Sequence, residues 1–414
     1  MDPPDRPVPA EPALRLRPVP LRAHLRRRGA HALAERDPVL PGAEAVHQGP
    51  LGRSGEGIAR TRAGIVGAGQ VSPYYLSYLA RSDDVELAAI ADRDLARARE
   101  RAQEYGIARV VTVDELVADD AIDCVLNLTP AQAHAELTGR ALDAGKHVWS
   151  EKPPAVTLPE GRELAARAAR NGLLLSCAPD TFLGASFQTA RRLVDEGAIG
   201  AVVGASCSFV TPGSELWHHN PEILFGPGAG PIYDEGVYFL TALVALLGPI
   251  SAVQAQAATI RKERTIATGP RAGERFDSEM PTHYVATLAF AGGALATMTM
   301  SFEVRTTTQP PLELYGTTGS LRLPFPGFYD GPLRLGRVHD TPWEEIAAEG
   351  PFLGRVRGPG LEDLARAIGE RREPRCSAAL ALHVLETMEL LHRSSDSGRR
   401  ERLTTTVRRP EPMR

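Results

Sequence analysis

Lysine is the residue this chain nearly does without. Of its 47 basic side chains, only Lys146, Lys152 and Lys262 are lysine. Arginine supplies positive charge at any working pH, whereas a lysine ammonium can release a proton when desolvated. A lysine kept in so arginine-biased a chain is a candidate for proton transfer, and two of them lie in one short stretch, Ala144 to Pro154. Cysteine is also scarce. Cys124, Cys177, Cys207 and Cys376 lie far apart, with no CxxC pair and no metal-ligand spacing. They read as free thiols in a reducing cytosol, so the chain is expected to be cytoplasmic. Long apolar runs are missing. The longest, Val237 to Leu247, is too short to span a bilayer and is bounded by Gly236 and Gly248, which predicts a buried helix. Charge of one sign is not in excess: a net −4 gives no electrostatic case for nucleic acid. With 43% apolar and 24% charged residues, the 414-residue chain reads as a soluble globular protein of two or three domains.

Residues 1–60 are rich in Pro and Arg and hold no sustained apolar period. They lack the apolar core of a signal peptide and read as a disordered extension. From Thr61 the pattern changes. Ala63-Gly64-Ile65-Val66 predicts a short buried strand, followed by Gly67-Ala68-Gly69-Gln70-Val71-Ser72 and a helical pattern through Tyr75, Leu76 and Leu79. Gly67 permits the tight turn, and Gly69 lets the backbone approach a pyrophosphate. The helix start at Gln70 and Val71 offers free N–H groups to that anion. Ser72 stands in place of the third glycine. A second strand, Val85 to Ile90, leads to Asp92, whose carboxylate is placed for the hydroxyls of an adenosine ribose and would repel a 2′-phosphate. That favours NAD over NADP, although Arg93 could stack on adenine or pair with a phosphate. Asp92 could equally cap the helix Leu95 to Tyr105.

Strand and helix alternate onward: strands at 109–111, 122–127 and 146–149, helices at 113–117 and 131–144. This predicts a doubly wound parallel sheet in a dinucleotide-binding domain spanning 61–180. Ligands in such sheets bind at the carboxyl ends of the strands. Thr129, Pro130, His134, Glu151 and Lys152 fall there and are expected around the nicotinamide. A second domain is expected over 181–395; it opens with a helix of Ala190, Leu193 and Val194 closed by Gly197, and from there the period changes to two. Runs at 202–210, 252–260, 284–290 and 294–302 predict a mostly antiparallel open sheet in an α+β domain reaching residue 395, with 325–358 as loop and 396–414 as a polar tail. A sheet with one face left over is a common subunit interface, so a homodimer or homotetramer is expected. Between the runs lies Glu215-Leu216-Trp217-His218-His219-Asn220-Pro221, dense in the aromatic and imidazole groups that shape sugar sites. Trp217 and His218 are candidate substrate contacts. The histidine pair lacks a third ligand at a suitable spacing, so no metal site is expected.

Residues 61 to about 400 resemble the Gfo/Idh/MocA oxidoreductases, the group of glucose–fructose oxidoreductase and inositol dehydrogenase. The resemblance is carried by Gly64-Ile65-Val66-Gly67-Ala68-Gly69, Ala144-Gly145-Lys146-His147-Val148, Glu151-Lys152-Pro153 and Gly230-Pro231-Ile232-Tyr233-Asp234-Glu235-Gly236-Val237-Tyr238. It implies hydride transfer between a nicotinamide cofactor, NAD or NADP, and a carbinol of a sugar, inositol or related polyol. It also implies Lys152 as acid/base, and Asp234 and Tyr238 facing the substrate. Tyr238 stands where the family usually has histidine, so either Tyr238 or Lys152 could take the proton. Thr241 stands where the family often has Asp or Asn. Desolvation of Lys152 is expected to lower its pKa toward neutrality. An NAD-dependent glycosidase and a non-enzymatic cofactor sensor are the alternatives on the same fold.

Overall fold

Two sheets carry the fold, and the computed structural model describes it over residues 60–339, 341–354 and 357–413. The stretch 1–59, with its expected disorder, lies outside the described residues. The first sheet holds β1 (Thr61–Val66), β2 (Val85–Ala91), β3 (Cys124–Asn127), β4 (His147–Ser150) and β5 (Leu175–Cys177), in the order β2-β1-β3-β4-β5. All its pairs are parallel. Its strands are short and apolar because helices cover both faces. These are α1 (Ser72–Leu79), α2 (Leu95–Tyr105), α3 (Val113–Ala118), α4 (Ala131–Asp143) and α5 (Leu158–Arg170).

Local chemistry sets the helix limits. Asp94, rather than Asp92, caps α2 by accepting the N–H groups of Ala96 and Arg97. Gly106 ends α2 with φ +70°. Thr112 with Glu115, and Thr157 with Glu160, form capping boxes opening α3 and α5. The strand expected at 109–111 reduces to a single bridge, Val110 to Ile90. Thr112 already starts α3 one residue later, which leaves no length for a ladder.

The second sheet has the order β15-β14-β13-β12-β6-β11-β10-β7-β16. Its long strands are β6 (Val202–Val210), β7 (Ile250–Ala258), β10 (His283–Phe290) and β11 (Leu295–Ser301). A separate hairpin joins β8 (Glu263–Thr265) and β9 (Arg275–Asp277). The sheet continues through β12 (Leu312–Gly316), β13 (Ser320–Leu323), β14 (Leu333–Gly336) and β15 (Glu344–Ile346), and closes with β16 (Glu401–Arg402). Among the described strands of this second sheet, only β6 and β11 pair in parallel. Met298 and Met300 point into the core, while Val285 and Leu295 stay exposed on the open face.

Two expectations are corrected here. The segment 325–358 is not all loop, because β14 and β15 extend the sheet edge from β13. Residues 396–414 do not hang free either. β16 pairs with β7, and Leu403, Val407 and Met413 pack on the core. The carboxylate of Glu386 accepts the Thr404 and Thr405 N–H groups at 3.0 and 2.7 Å.

Helix α6 (Ala185–Asp195) leads into this domain, and α7 (Val237–Leu247) lies at its centre. Every residue of α7 is buried except Tyr238 and Leu247. The last helices, α8 (Pro359–Glu370) and α9 (Ala378–Ser397), return to the first sheet. There Cys177 donates its N–H to Cys376 at 3.1 Å, and the buried Asp180 accepts the N–H groups of Gly358 and Gly360 at 3.2 and 2.9 Å. All four cysteines are buried and free. No described helix is long and apolar enough to cross a membrane.

Candidate active site at the carboxyl ends of the parallel strands

The Gly-rich turn leaves β1 with Gly67 at φ +111°, where an added Cβ would come within 2.6 Å of the Leu128 carbonyl oxygen. Glycine is required there by both backbone and space. At Gly69 an added Cβ would meet nothing within 4 Å, so that side of the turn is open for a ligand to approach. Ser72 is buried, and its hydroxyl donates to the Gly69 carbonyl at 2.8 Å, so the serine that replaces a third glycine closes the turn. Asp92 lies alongside. One of its oxygens accepts the Ala68 N–H at 2.7 Å and the other accepts the Asp94 N–H at 2.8 Å. Gln70 and Arg93 are exposed and Val71 is half-buried. An open glycine, a helix start and a carboxylate tied to the same turn fit the pyrophosphate and ribose of a dinucleotide.

At the end of β3, Asn127 is wholly buried and organises the next loop. Its amide oxygen accepts the Thr129 hydroxyl at 2.6 Å, and its amide nitrogen donates to the His134 carbonyl at 3.2 Å. Thr129 and Pro130 are thereby fixed beside the Gly-rich turn. His134 is 1% exposed, with ring nitrogens 2.7 Å from the carbonyls of Thr129 and of Pro153. Both nitrogens are engaged by backbone. The residue expected to touch a ligand instead braces the loop after β3 against the loop carrying Lys152.

Lys152 lies just past β4. Glu151 does not hold its ammonium. The Glu151 carboxylate accepts the Tyr75 hydroxyl at 2.8 Å and the backbone N–H of Lys152 at 2.9 Å. Tyr75 is fully buried on α1 and accepts the Trp149 indole N–H at 3.2 Å. The Lys152 ammonium reaches the second domain, donating to Asp234 at its carbonyl (2.8 Å) and its carboxylate (3.1 Å). Asp234 belongs to a π-helical turn, Ile232–Gly236, that runs straight into α7. This widened turn, rather than the regular α spacing expected, presents both oxygens of Asp234 to one ammonium. Tyr238 follows on α7, with its ring centroid 5.4 Å from the same nitrogen. Thr241 does not join them, since its hydroxyl donates to the Val237 carbonyl of its own helix at 2.8 Å.

The charges correct one expectation. Burial acts to lower the Lys152 pKa, but Asp234, with Tyr238, Glu235 and Glu151 behind it, outweighs burial and holds it well above its ordinary value. Lys152 is an ammonium at neutral pH. Burial raises Tyr238 above the usual phenol value, while Lys152 and Arg357 pull it back. Glu235 is pushed up to about 8 by burial and by Asp234, against Lys152 and Arg357. Arg357 was not legible in the sequence. Its guanidinium donates to the Tyr238 hydroxyl oxygen at 3.2 Å from the far end of the 325–358 segment.

The stretch 215–221 divides. Glu215 is buried and paired with the equally buried Arg264 at 2.8 Å, which roots the loop. Trp217 remains 45% exposed, packed edge-on against His218. Among the described residues no hydrogen bond, ion pair or ring contact joins Trp217 or His218 to Lys152, Asp234 or Tyr238. No group of three or more described His, Cys, Asp or Glu residues could hold a metal ion.

Comparison with known proteins agrees with the two-domain fold. The oxidoreductase family with an NAD-binding Rossmann fold, Gfo/Idh/MocA, matches residues 61–178, and the C-terminal domain of the same family matches residues 187–322. D-glucoside 3-dehydrogenase of Escherichia coli K12 is 32% identical over 45% of this chain and 54% of its own length. The 1,5-anhydro-D-fructose reductase of Ensifer adhaerens is 28% identical over 63% of this chain and 74% of its own. The chain thus spans between about half and three quarters of these relatives. The crystal structure of an NAD-binding oxidoreductase from Klebsiella pneumoniae shares the fold at a TM-score of 0.71 and 24% identity, over 84% of this chain and all of that one. With both domains matched and the paired lysine and aspartate between them, the chain belongs to the Gfo/Idh/MocA family of oxidoreductases.

Proposed function

We propose that the chain is an NAD-dependent oxidoreductase that moves a hydride between the nicotinamide and a secondary alcohol or carbonyl of a sugar or related polyol. The observation that carries this is the Lys152–Asp234 pair, which joins the carboxyl end of β4 to the π turn before α7. The sugar class is supported by two relatives that the chain resembles, a glucoside dehydrogenase and an anhydrofructose reductase. When bound, the nicotinamide supplies or accepts the hydride, and the protein orients the carbinol and handles its proton. Gly67, Gly69 and the start of α1 would hold the pyrophosphate, and Asp92 the adenosine ribose. Asp92 favours NAD.

Lys152 is read as the proton donor and acceptor at the substrate oxygen. As an ammonium it is in the form that protonates a carbonyl oxygen during reduction. In alcohol oxidation it has to pass its own proton on before taking the substrate's. Asp234 fixes its position, and Tyr238 borders the same space. A second copy of the chain on the open sheet face is the partner expected, and sedimentation of the purified protein decides it.

The test is a panel of sugars, anhydrosugars and inositols, each assayed with NAD and with NADP for net change in reduced cofactor. Turnover of at least one member, faster with NAD, is expected. Cleavage of a glycoside without net reduced cofactor would replace the reading by the glycosidase. Preference for NADP would overturn the role given to Asp92.

A further inference from the structure

We infer that Arg357 is a positioning residue for Tyr238, holding the phenol oxygen so that its proton is offered to the substrate oxygen beside Lys152. The inference rests on the reading of this cleft as the active site and deepens it. A guanidinium carries only donors. In the 3.2 Å contact with Arg357 the Tyr238 oxygen is therefore the acceptor, and its own proton must point elsewhere. The neighbouring Lys152 ammonium is donor-only as well. Among the described residues no acceptor takes the Tyr238 proton. A substrate hydroxyl or carbonyl oxygen in the cleft would be such an acceptor, within reach of the same ammonium.

Arg357 is built to hold this position. Its second arm donates to the Gly327 carbonyl at 3.3 Å, and its backbone N–H donates to the Tyr74 carbonyl on α1 at 3.1 Å. The next residue, Gly358, is tied to the buried carboxylate of Asp180. The guanidinium carbon lies 5.5 Å from the Tyr238 ring centroid, close to the 5.4 Å of the Lys152 nitrogen. Phe325 packs on the ring at 6.4 Å between centroids. The charged groups acting on Tyr238 are thus Lys152 and Arg357, which favour the phenolate, and Glu151 and Glu235, which oppose it. Arg357 also links the first domain, through Tyr74, to a residue of the second.

Two measurements test the inference. In protein labelled with ¹³C-tyrosine, the Tyr238 resonance is identified by its loss in Tyr238→Phe and titrated without cofactor or substrate. Removing a cation at this range should raise the ionisation of Tyr238 by on the order of one pH unit in Arg357→Gln, while Arg357→Lys stays near wild type. With a substrate from the panel, Arg357→Gln should lower kcat by roughly tenfold or more, and the same change made in Tyr238→Phe should cost little further, because the two residues act as one unit. An unmoved Tyr238 titration, or a kcat loss undiminished in the Tyr238→Phe background, would overturn the inference. Should the glutamine variant not fold, the lysine variant carries the test through its coupling to Tyr238→Phe. If wild type turns over no sugar, the proposed function fails, and the titration still judges Arg357.

Discussion

Glu235 lies between Asp234 and Gly236 in the π turn, and burial with the Asp234 charge pushes its carboxyl up to about 8 from an ordinary 4.5. Below 4.5 the folded and unfolded chains both carry the proton, and the stabilisation is complete. Between 4.5 and 8 the unfolded chain loses the proton while the folded one keeps it, so stability falls as pH rises through this window. Glu235→Gln cannot ionise. Its Tm should fall less than that of wild type between about pH 5 and about pH 9, a difference worth on the order of 1 kcal/mol or more. Parallel Tm curves would show that Glu235 ionises normally. Lys152 was legible as a residue because the chain has so few lysines, and Asp234 and Tyr238 because they sit in a family motif. Arg357, Tyr75 and Asn127 were not. Arg357 is one arginine in an arginine-rich chain and meets Tyr238 across 119 positions, and Tyr75 meets Glu151 across 76. Such partners are fixed by the fold and leave no local pattern.

Elements with a strong period were legible, including the buried helix α7 and the long strands β6, β7, β10 and β11. Elements without one were not. β14 and β15 are only four and three residues long within Pro- and Gly-rich sequence, and they exist because β13 offers an edge. The π turn at Ile232–Gly236 has no propensity signature either. The Gly-rich turn gives the sharpest test at this scale, because its two glycines are constrained differently. Gly67→Ala forces a Cβ against the Leu128 carbonyl at φ +111°, and it should destabilise the fold by roughly 1–3 kcal/mol. Gly69→Ala meets no protein atom within 4 Å. It should melt close to wild type yet bind NAD more weakly, because the added methyl occupies the space the pyrophosphate must approach. Thermal melts paired with NAD titrations check both. A Gly69→Ala protein with wild-type NAD affinity would place the cofactor elsewhere.

At the scale of the whole molecule, the division into a parallel and a mostly antiparallel sheet was legible from the change of period near residue 200. What brings the two together was not, apart from the family resemblance. Lys152 and Asp234 are 82 positions apart and meet because the π turn that opens α7 lies against the residue just past β4. Their contact makes the cleft a property of both domains, and it makes Lys152 an ammonium rather than the weakened base its burial suggested. The most direct measurement is turnover of Lys152→Arg on a substrate that wild type accepts, alongside its NAD affinity. Arginine keeps the charge and can still meet Asp234, but it cannot give up a proton. Turnover is expected to fall on the order of 10²–10⁴-fold with NAD bound as in wild type. Turnover near wild type in that variant would contradict Lys152 as the proton-transfer group.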